Sequence, residues 1–308
     1  MQMKGVLLVN LGSPDSTNTN DVRNYLEEFL MDERVIDFPK WFRKFLVKGI
    51  ILNTRPKKSA EAYRKIWWKE GSPLIVLSKR LMKKVQAKVS IPLALAMRYG
   101  NPSIKEGLEV LNKQGVNEIL IVPLYPQFAM ATTETILVLA EKLRIKFFPH
   151  MEFTSLPPFY NHPDYIRVLG NSIQDELKDK DWEHIIFSYH GVPERHIRKS
   201  DITKSHCKMD GKCCFNDSPA HQYCYRHQCE ITSLEVAKYL ELKKGTFSTT
   251  FQSRVSILGS WLKPYTDETI EKLANENVKH LAIATPGFAA DNIETLEEIN
   301  MYAKELKL

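Results

Sequence analysis

Gly5-Val6-Leu7-Leu8-Val9-Asn10, followed at once by Leu11-Gly12-Ser13-Pro14, is the stretch on which the fold turns. An aliphatic run without polar alternation suits a strand buried on both faces, and the Gly-Ser-Pro turn behind it stops that strand. Runs of the same kind recur at Leu93 to Arg98, Glu118 to Pro123, His184 to His190, Thr250 to Ile257 and His280 to Thr285. Helical patterns separate them, at Asp21 to Leu30, Leu74 to Val89, Ile104 to Gln114, Thr133 to Leu143, Tyr165 to Leu177 and Asp267 to Glu276. Buried strands alternating with amphipathic helices predict an α/β fold of parallel sheets flanked by helices. Both halves show this alternation and Pro157-Pro158 interrupts it, so two domains are expected, residues 1–152 and 153–308, whose last helix can pack back on the first.

A length of 308 residues suits two such domains, and 43% hydrophobic with 26% charged residues is a globular balance. No apolar run reaches the ~18–20 residues of a transmembrane helix. Met1 to Val9 leads into a strand rather than a signal peptide, so a cytoplasmic protein is expected. The net charge of +6 is modest and its Lys and Arg are scattered, which argues against a nucleic-acid partner. One stretch differs. From Phe38 to Leu52, Trp41, Phe42, Phe45, Leu46, Ile50, Ile51 and Leu52 mingle with Lys40, Arg43, Lys44 and Lys48. Such a helix suits peripheral contact with an anionic inner-membrane surface as well as packing on its own domain.

Parallel sheets gather ligands where strands end and loops begin. Asn10 to Pro14, Arg98 to Pro102, Pro123 to Pro126, Tyr189 to Gly191 and Thr285 to Phe288 each follow a strand-like run, and none is a GxGxxG or Walker loop. A dinucleotide enzyme is thereby disfavoured. In Phe187-Ser188-Tyr189-His190-Gly191, a histidine closes an apolar strand before a glycine turn, a position for a base or a metal ligand as well as for a core residue. Asp291, Glu294 and Glu298, at offsets of three and four, would stripe one face of an α-helix, although acids also favour any solvated helix start. All five cysteines, Cys207, Cys213, Cys214, Cys224 and Cys229, crowd one polar stretch, which points to an iron-sulfur cluster or a zinc ion rather than to disulfides or free thiols. Four ligands suffice, and adjacent Cys213 and Cys214 are the pair from which one is dropped.

With these residues in hand, the sequence resembles the ferrochelatase family over nearly its whole length. Phe187 to His196 resembles the family's active-site histidine segment and Asp291 to Ile299 its inner carboxylate segment. Arg98-Tyr99-Gly100, Tyr125-Pro126-Gln127, Gly71-Ser72-Pro73 and Trp261-Leu262 match further patterns in the expected order. The resemblance implies two Rossmann-like, chelatase-type domains and a lyase of haem biosynthesis that inserts Fe2+ into protoporphyrin IX to give protohaem. It implies that catalytic His190 and Glu294 face each other across a porphyrin cleft and contact the iron, with Asp291 and Glu298 continuing an acidic path. It places Leu11, Arg98, Tyr99, Tyr125, Trp261 and Phe288 around the macrocycle, and Lys58 beside Arg98 as a propionate partner. The loop Cys207 to Cys229 resembles that of bacterial members holding a 2Fe-2S cluster, which implies Cys207, Cys214, Cys224 and Cys229 as ligands with Cys213 as alternate. Met130 replaces a cluster cysteine of the vertebrate enzymes, and Asn292 replaces their histidine, which puts a relay through that position in doubt. The competing readings are a coproporphyrin ferrochelatase or other tetrapyrrole chelatase, and, from another class, a non-catalytic haem- or cluster-binding sensor.

Overall fold

The computed structural model describes residues 3–255 and 259–302. Among the described residues, seven strands form two parallel sheets. In the first, β1 (Lys4–Gly12) is flanked by β2 (Leu93–Tyr99) and β3 (Glu118–Pro123), with β4 (Glu152–Ser155) outside β3. In the second, β5 (His184–His190) lies between β6 (Phe247–Gln252) and β7 (Leu281–Ala284). All five strand pairings are parallel, for example Leu8 beside Leu95 and Val122, and Phe187 beside Thr249 and Ala284. The chain separates into two compact units. One comprises Met1–Leu124, Met130–Pro157 and Ala290–Glu297, the other Tyr125–Ala129, Pro158–Ala289 and Glu298–Leu308.

Each sheet is built by the same logic. The central strand is laid down first, the next joins one side, and the third crosses to the other, so the winding direction reverses beside the central strand. That reversal opens a crevice at the strand's carboxyl end. Asn10 and Leu11 lie at the end of β1, and His190 at the end of β5. In the first unit Leu8, Leu74, Leu93, Leu95, Met97 and Leu124 share one core. The helix Ile104–Lys113 packs so closely on the sheet that a Cβ on Gly107 would stand 2.7 Å from Leu7 Cδ1. In the second unit Ile185, Phe187, Tyr189 and Phe251 from the strands meet Ile166, Ile173, Cys229 and Val236 from the helices.

The strand expected at Thr250 to Ile257 runs instead over Phe247–Gln252, and Ile257 lies outside the described residues. The cause is chemical: Ser248 and Thr250 are polar, but Ser248 Oγ meets His184 Nε2 at 2.5 Å and Thr250 Oγ1 meets Thr266 Oγ1 at 2.8 Å. Paired hydroxyls can be buried at little cost. The basic aromatic stretch is helical as expected, but as a short α-helix (Lys40–Lys44), a π-helical turn (Phe45–Ile51) and a further α-helix (Leu52–Ile66). Among its basic residues Arg43 is buried, its guanidinium donating to the carbonyls of Ile36 and Phe38, and Lys48 pairs with Glu27. Trp41 and Phe45 stand 74% and 60% exposed. No helix among the described residues is long and apolar enough to cross a membrane.

Candidate active site and cysteine loop

In the second unit the strand end positions His190. Its Nδ1 lies 2.7 Å from the carbonyl oxygen of Gly191, a contact that makes sense only if Nδ1 carries the proton. The neutral ring then presents the lone pair of Nε2, the atom that accepts a proton or binds a metal. The backbone is held from both sides: Tyr225 donates to the His190 carbonyl at 3.0 Å, and the Gly191 amide donates to the Gln252 carbonyl at 2.8 Å. Gly191 admits this turn, because a Cβ there would meet the Gln252 oxygen at 2.8 Å and the Trp261 ring at 3.3 Å. Trp261 thus packs beside the histidine turn, and its indole Nε1 is buried with no protein acceptor.

Glu298 belongs to the same neighbourhood. Gln252 is the register partner of His190, and Glu298 accepts from the Ser253 amide at 2.9 Å, from Ser253 Oγ at 2.5 Å and from Gln252 Nε2 at 3.5 Å. The Thr285-Pro286-Gly287-Phe288 turn is tied down by Tyr165, which donates to the Pro286 carbonyl at 2.5 Å. Gly287 lies close to Tyr189, Gln127 and Tyr225, and Phe288 follows, half-buried. Tyr125, also half-buried, enters this unit with Gln127 and Phe128, which are anchored by Thr232 Oγ1 and Gln228 Oε1.

The segment of the expected acidic stripe winds differently. The helix that carries Glu294 and Glu298 is a π-helix, Glu294–Tyr302, and Asp291 precedes it. Thr295 Oγ1 donates to the Asp291 carboxylate at 2.9 Å, while Asn292 Oδ1 accepts from the Thr295 amide at 3.0 Å. Asn292 therefore acts as a cap, a task for which a short amide suits. The i→i+5 winding from Glu294 differs from the α-helix expected there. Glu294 lies within electrostatic reach of Tyr63, whose buried phenol is pushed up first by burial and then by that carboxylate.

Arg98 and Tyr99, at the end of β2, converge on Asp32. Arg98 Nη2 pairs with Asp32 Oδ2, Arg98 Nε donates to Thr135 Oγ1 at 2.6 Å, and Tyr99 donates to Asp32 at 3.1 Å. Burial would raise the Asp32 carboxyl; hydrogen bonds from Thr135, the Arg34 amide and Tyr99, with the Arg98 charge, outweigh it and hold the group below its ordinary value of 3.8. Asp32 carries no motif, and only its place after the helix Thr19–Leu30 hints at a role. Lys58 is exposed on the helix Leu52–Ile66, and Leu11 is half-buried beside the β1 turn.

The five cysteines are free thiols. The thiols of Cys207 and Cys214 both hydrogen-bond Cys224, which pushes those two up and pulls Cys224 down. Cys213 lies within electrostatic reach of Cys207 and Cys214, whereas Cys229, fully buried, bonds to Tyr225. The donor chemistry therefore suits a thiolate-held group, with three sulfurs already together. Even so, among the described residues no three His, Cys, Asp or Glu side chains are arranged to hold a metal ion as they stand.

Two parallel sheets flanked by helices make a chelatase-type α/β fold. The fold is shared with SirB from Bacillus subtilis, solved with Fe3+, at a TM-score of 0.52 and 12% identity over 99% of this chain and 84% of that one. The Ferrochelatase family profile matches residues 3–308. A ferrochelatase of Pseudomonas fluorescens is 45% identical over 96% of this chain and 86% of its own length. One of Opitutus terrae is 42% identical over 99% and 89%. The chain belongs to the ferrochelatase family, lyases that insert ferrous iron into a porphyrin.

Proposed function

We propose that this chain inserts Fe2+ into protoporphyrin IX, releasing two protons and protohaem, with His190 as the base. The observation that supports this reading is the 2.7 Å contact of His190 Nδ1 with the Gly191 carbonyl, which leaves Nε2 as the ring atom free to meet substrate. Insertion removes two pyrrole N–H protons, strips water from iron and bends a flat ring so that nitrogen lone pairs point out of its plane. A neutral imidazole works as base near its own pKa, and carboxylates carry the displaced protons or the incoming iron. Glu294 is the proposed second catalytic and iron-contacting group, with Asp291 and Glu298 along the path. Leu11, Tyr99, Tyr125, Trp261 and Phe288 are the proposed contacts of the macrocycle, and Lys58 and Arg98 its propionate partners. The buried indole N–H of Trp261, lacking a protein acceptor, supports a bound polar group there. In an anaerobic assay with ferrous iron and protoporphyrin, His190→Ala should turn over ~10²–10⁴-fold more slowly. Undiminished turnover would remove His190 as the base; preference for coproporphyrin would replace the proposed substrate.

Cys207, Cys214 and Cys224 would hold a 2Fe-2S cluster, with Cys229 or Cys213 as the fourth ligand. Such a cluster supplies a redox-responsive group that fastens the loop, while iron insertion itself transfers no electrons. Anaerobically purified protein should show the visible absorption of a cluster and two irons per cluster by analysis; a colourless, iron-free and fully active preparation would overturn this assignment. The exposed Trp41 and Phe45 beside Lys40 and Lys44 support a cytoplasmic protein resting peripherally on the inner membrane.

A further inference from the structure

Beside the cysteines lies a cluster that neither the iron-insertion chemistry nor the thiolates use. His206 Nε2 is 3.2 Å from His221 Nε2, and the carbonyl oxygen of Cys213 lies 2.8 Å from the first and 3.1 Å from the second. These three atoms form a nearly equilateral triangle with edges of 2.8, 3.1 and 3.2 Å. The carbonyl can only accept, and a neutral imidazole nitrogen either donates or accepts. If both Nε2 atoms carry protons, the carbonyl oxygen accepts from both with its two lone pairs. If one carries a proton, the other's lone pair confronts the carbonyl oxygen. If neither does, all three lone pairs converge.

Three converging lone pairs are what a cation requires. Donors about 2.0–2.1 Å from a first-row metal stand about 2.9 Å apart at octahedral angles and about 3.3 Å apart at tetrahedral ones. The observed edges of 2.8, 3.1 and 3.2 Å lie within about 0.1 Å of that interval. We propose that His206 Nε2, His221 Nε2 and the Cys213 carbonyl oxygen form one face of a labile site for a divalent first-row cation, separate from His190 and from the cysteine sulfurs. A cavity of about 360 Å³, lined by His206 and Cys213 together with Asp210 and Lys208, leaves room for water to complete the coordination. The pattern differs in kind from a three-side-chain metal centre, because its third donor belongs to the main chain.

The donors are held in place. Asp201 accepts from the amides of Thr203, His206 and Cys207, each at 2.9 Å, which fixes the turn that presents His206. The His221 ring stacks on His227 at 3.6 Å with 8° between planes, and His227 Nδ1 bonds the Cys214 carbonyl at 2.6 Å. The loop is thus braced on both sides of the triangle.

Co2+ alone, titrated into the full-length protein and into His190→Ala, tests the site. His190→Ala should still bind one cobalt with weak visible bands and no near-ultraviolet thiolate charge transfer, the full-length protein should show the same bands, and this binding should persist in Cys224→Ser. His221→Gln and His206→Gln should each lower the affinity at least about tenfold and abolish the metal-induced rise in Tm while leaving the metal-free Tm in place. A Zn2+-soaked crystal should show anomalous density between the two Nε2 atoms. Binding that carries thiolate charge transfer and is lost in Cys224→Ser, density at His190 or the sulfurs only, or affinity unchanged in both histidine variants would overturn the proposal.

Discussion

Asp32 shows how much one unmotivated residue can hold. Its carboxylate meets Arg98, Tyr99, Thr135 and the Arg34 amide, and its side chain is 5% exposed. Removing one partner of a buried ion pair leaves the other charge uncompensated, so Asp32→Asn should cost roughly 3 kcal/mol in denaturant unfolding. The pH dependence has a definite sign. A carboxyl held below its ordinary value of 3.8 contributes stability that is complete above that pH and is lost as pH falls through the folded value. The wild type should therefore lose stability more steeply below about pH 4 than Asp32→Asn; parallel curves would show that the carboxylate is not so held. His190 was legible because a histidine ending an apolar run before glycine is unusual. Asp32 was not, because its importance arises from partners 66 and 103 positions away in sequence.

At the scale of elements, the junction of β1 and β2 sets the first unit's crevice. Gly12 has φ +111°, and a Cβ there would lie 1.8 Å from the Tyr99 carbonyl oxygen. Gly12→Ala must both strain the backbone and push the two strand ends apart. Roughly 2–4 kcal/mol of lost stability is expected, read as a drop in the denaturation midpoint; an unchanged midpoint would show that the strand ends yield freely. Strand positions were readable from aliphatic runs, and β5 falls on its expected residues, His184–His190. The β6 boundary was not, since Ser248 is paired with the His184 imidazole and Thr250 is buried through a hydroxyl pair with Thr266. Nor was the winding of Glu294–Tyr302: residue spacing suggests a helix, but the choice between i→i+4 and i→i+5 bonding is made by the packing around it.

At the scale of the whole molecule, a net charge of +6 and the exposed Trp41 and Phe45 bear on where the protein works. Vesicles containing anionic lipid should sediment the protein, and Trp41→Ala with Phe45→Ala should lower the bound fraction several-fold, each aromatic contributing ~1–2 kcal/mol by burial. Equal binding by the double variant would assign this surface another role. The alternation of buried strands and helices, the parallel sheets and the strand-end position of His190 were written in the sequence by itself, because burial on both faces and 3.6-residue periodicity are local patterns. The sequence also crowded five cysteines into one stretch. Only the tertiary structure decided that Asp32 grips Arg98, that Asn292 caps the Thr295 amide, that Arg43 turns inward and that two histidines share one carbonyl oxygen. Those outcomes depend on distances between residues far apart in the chain, which the packing of the folded chain fixes and residue spacing does not.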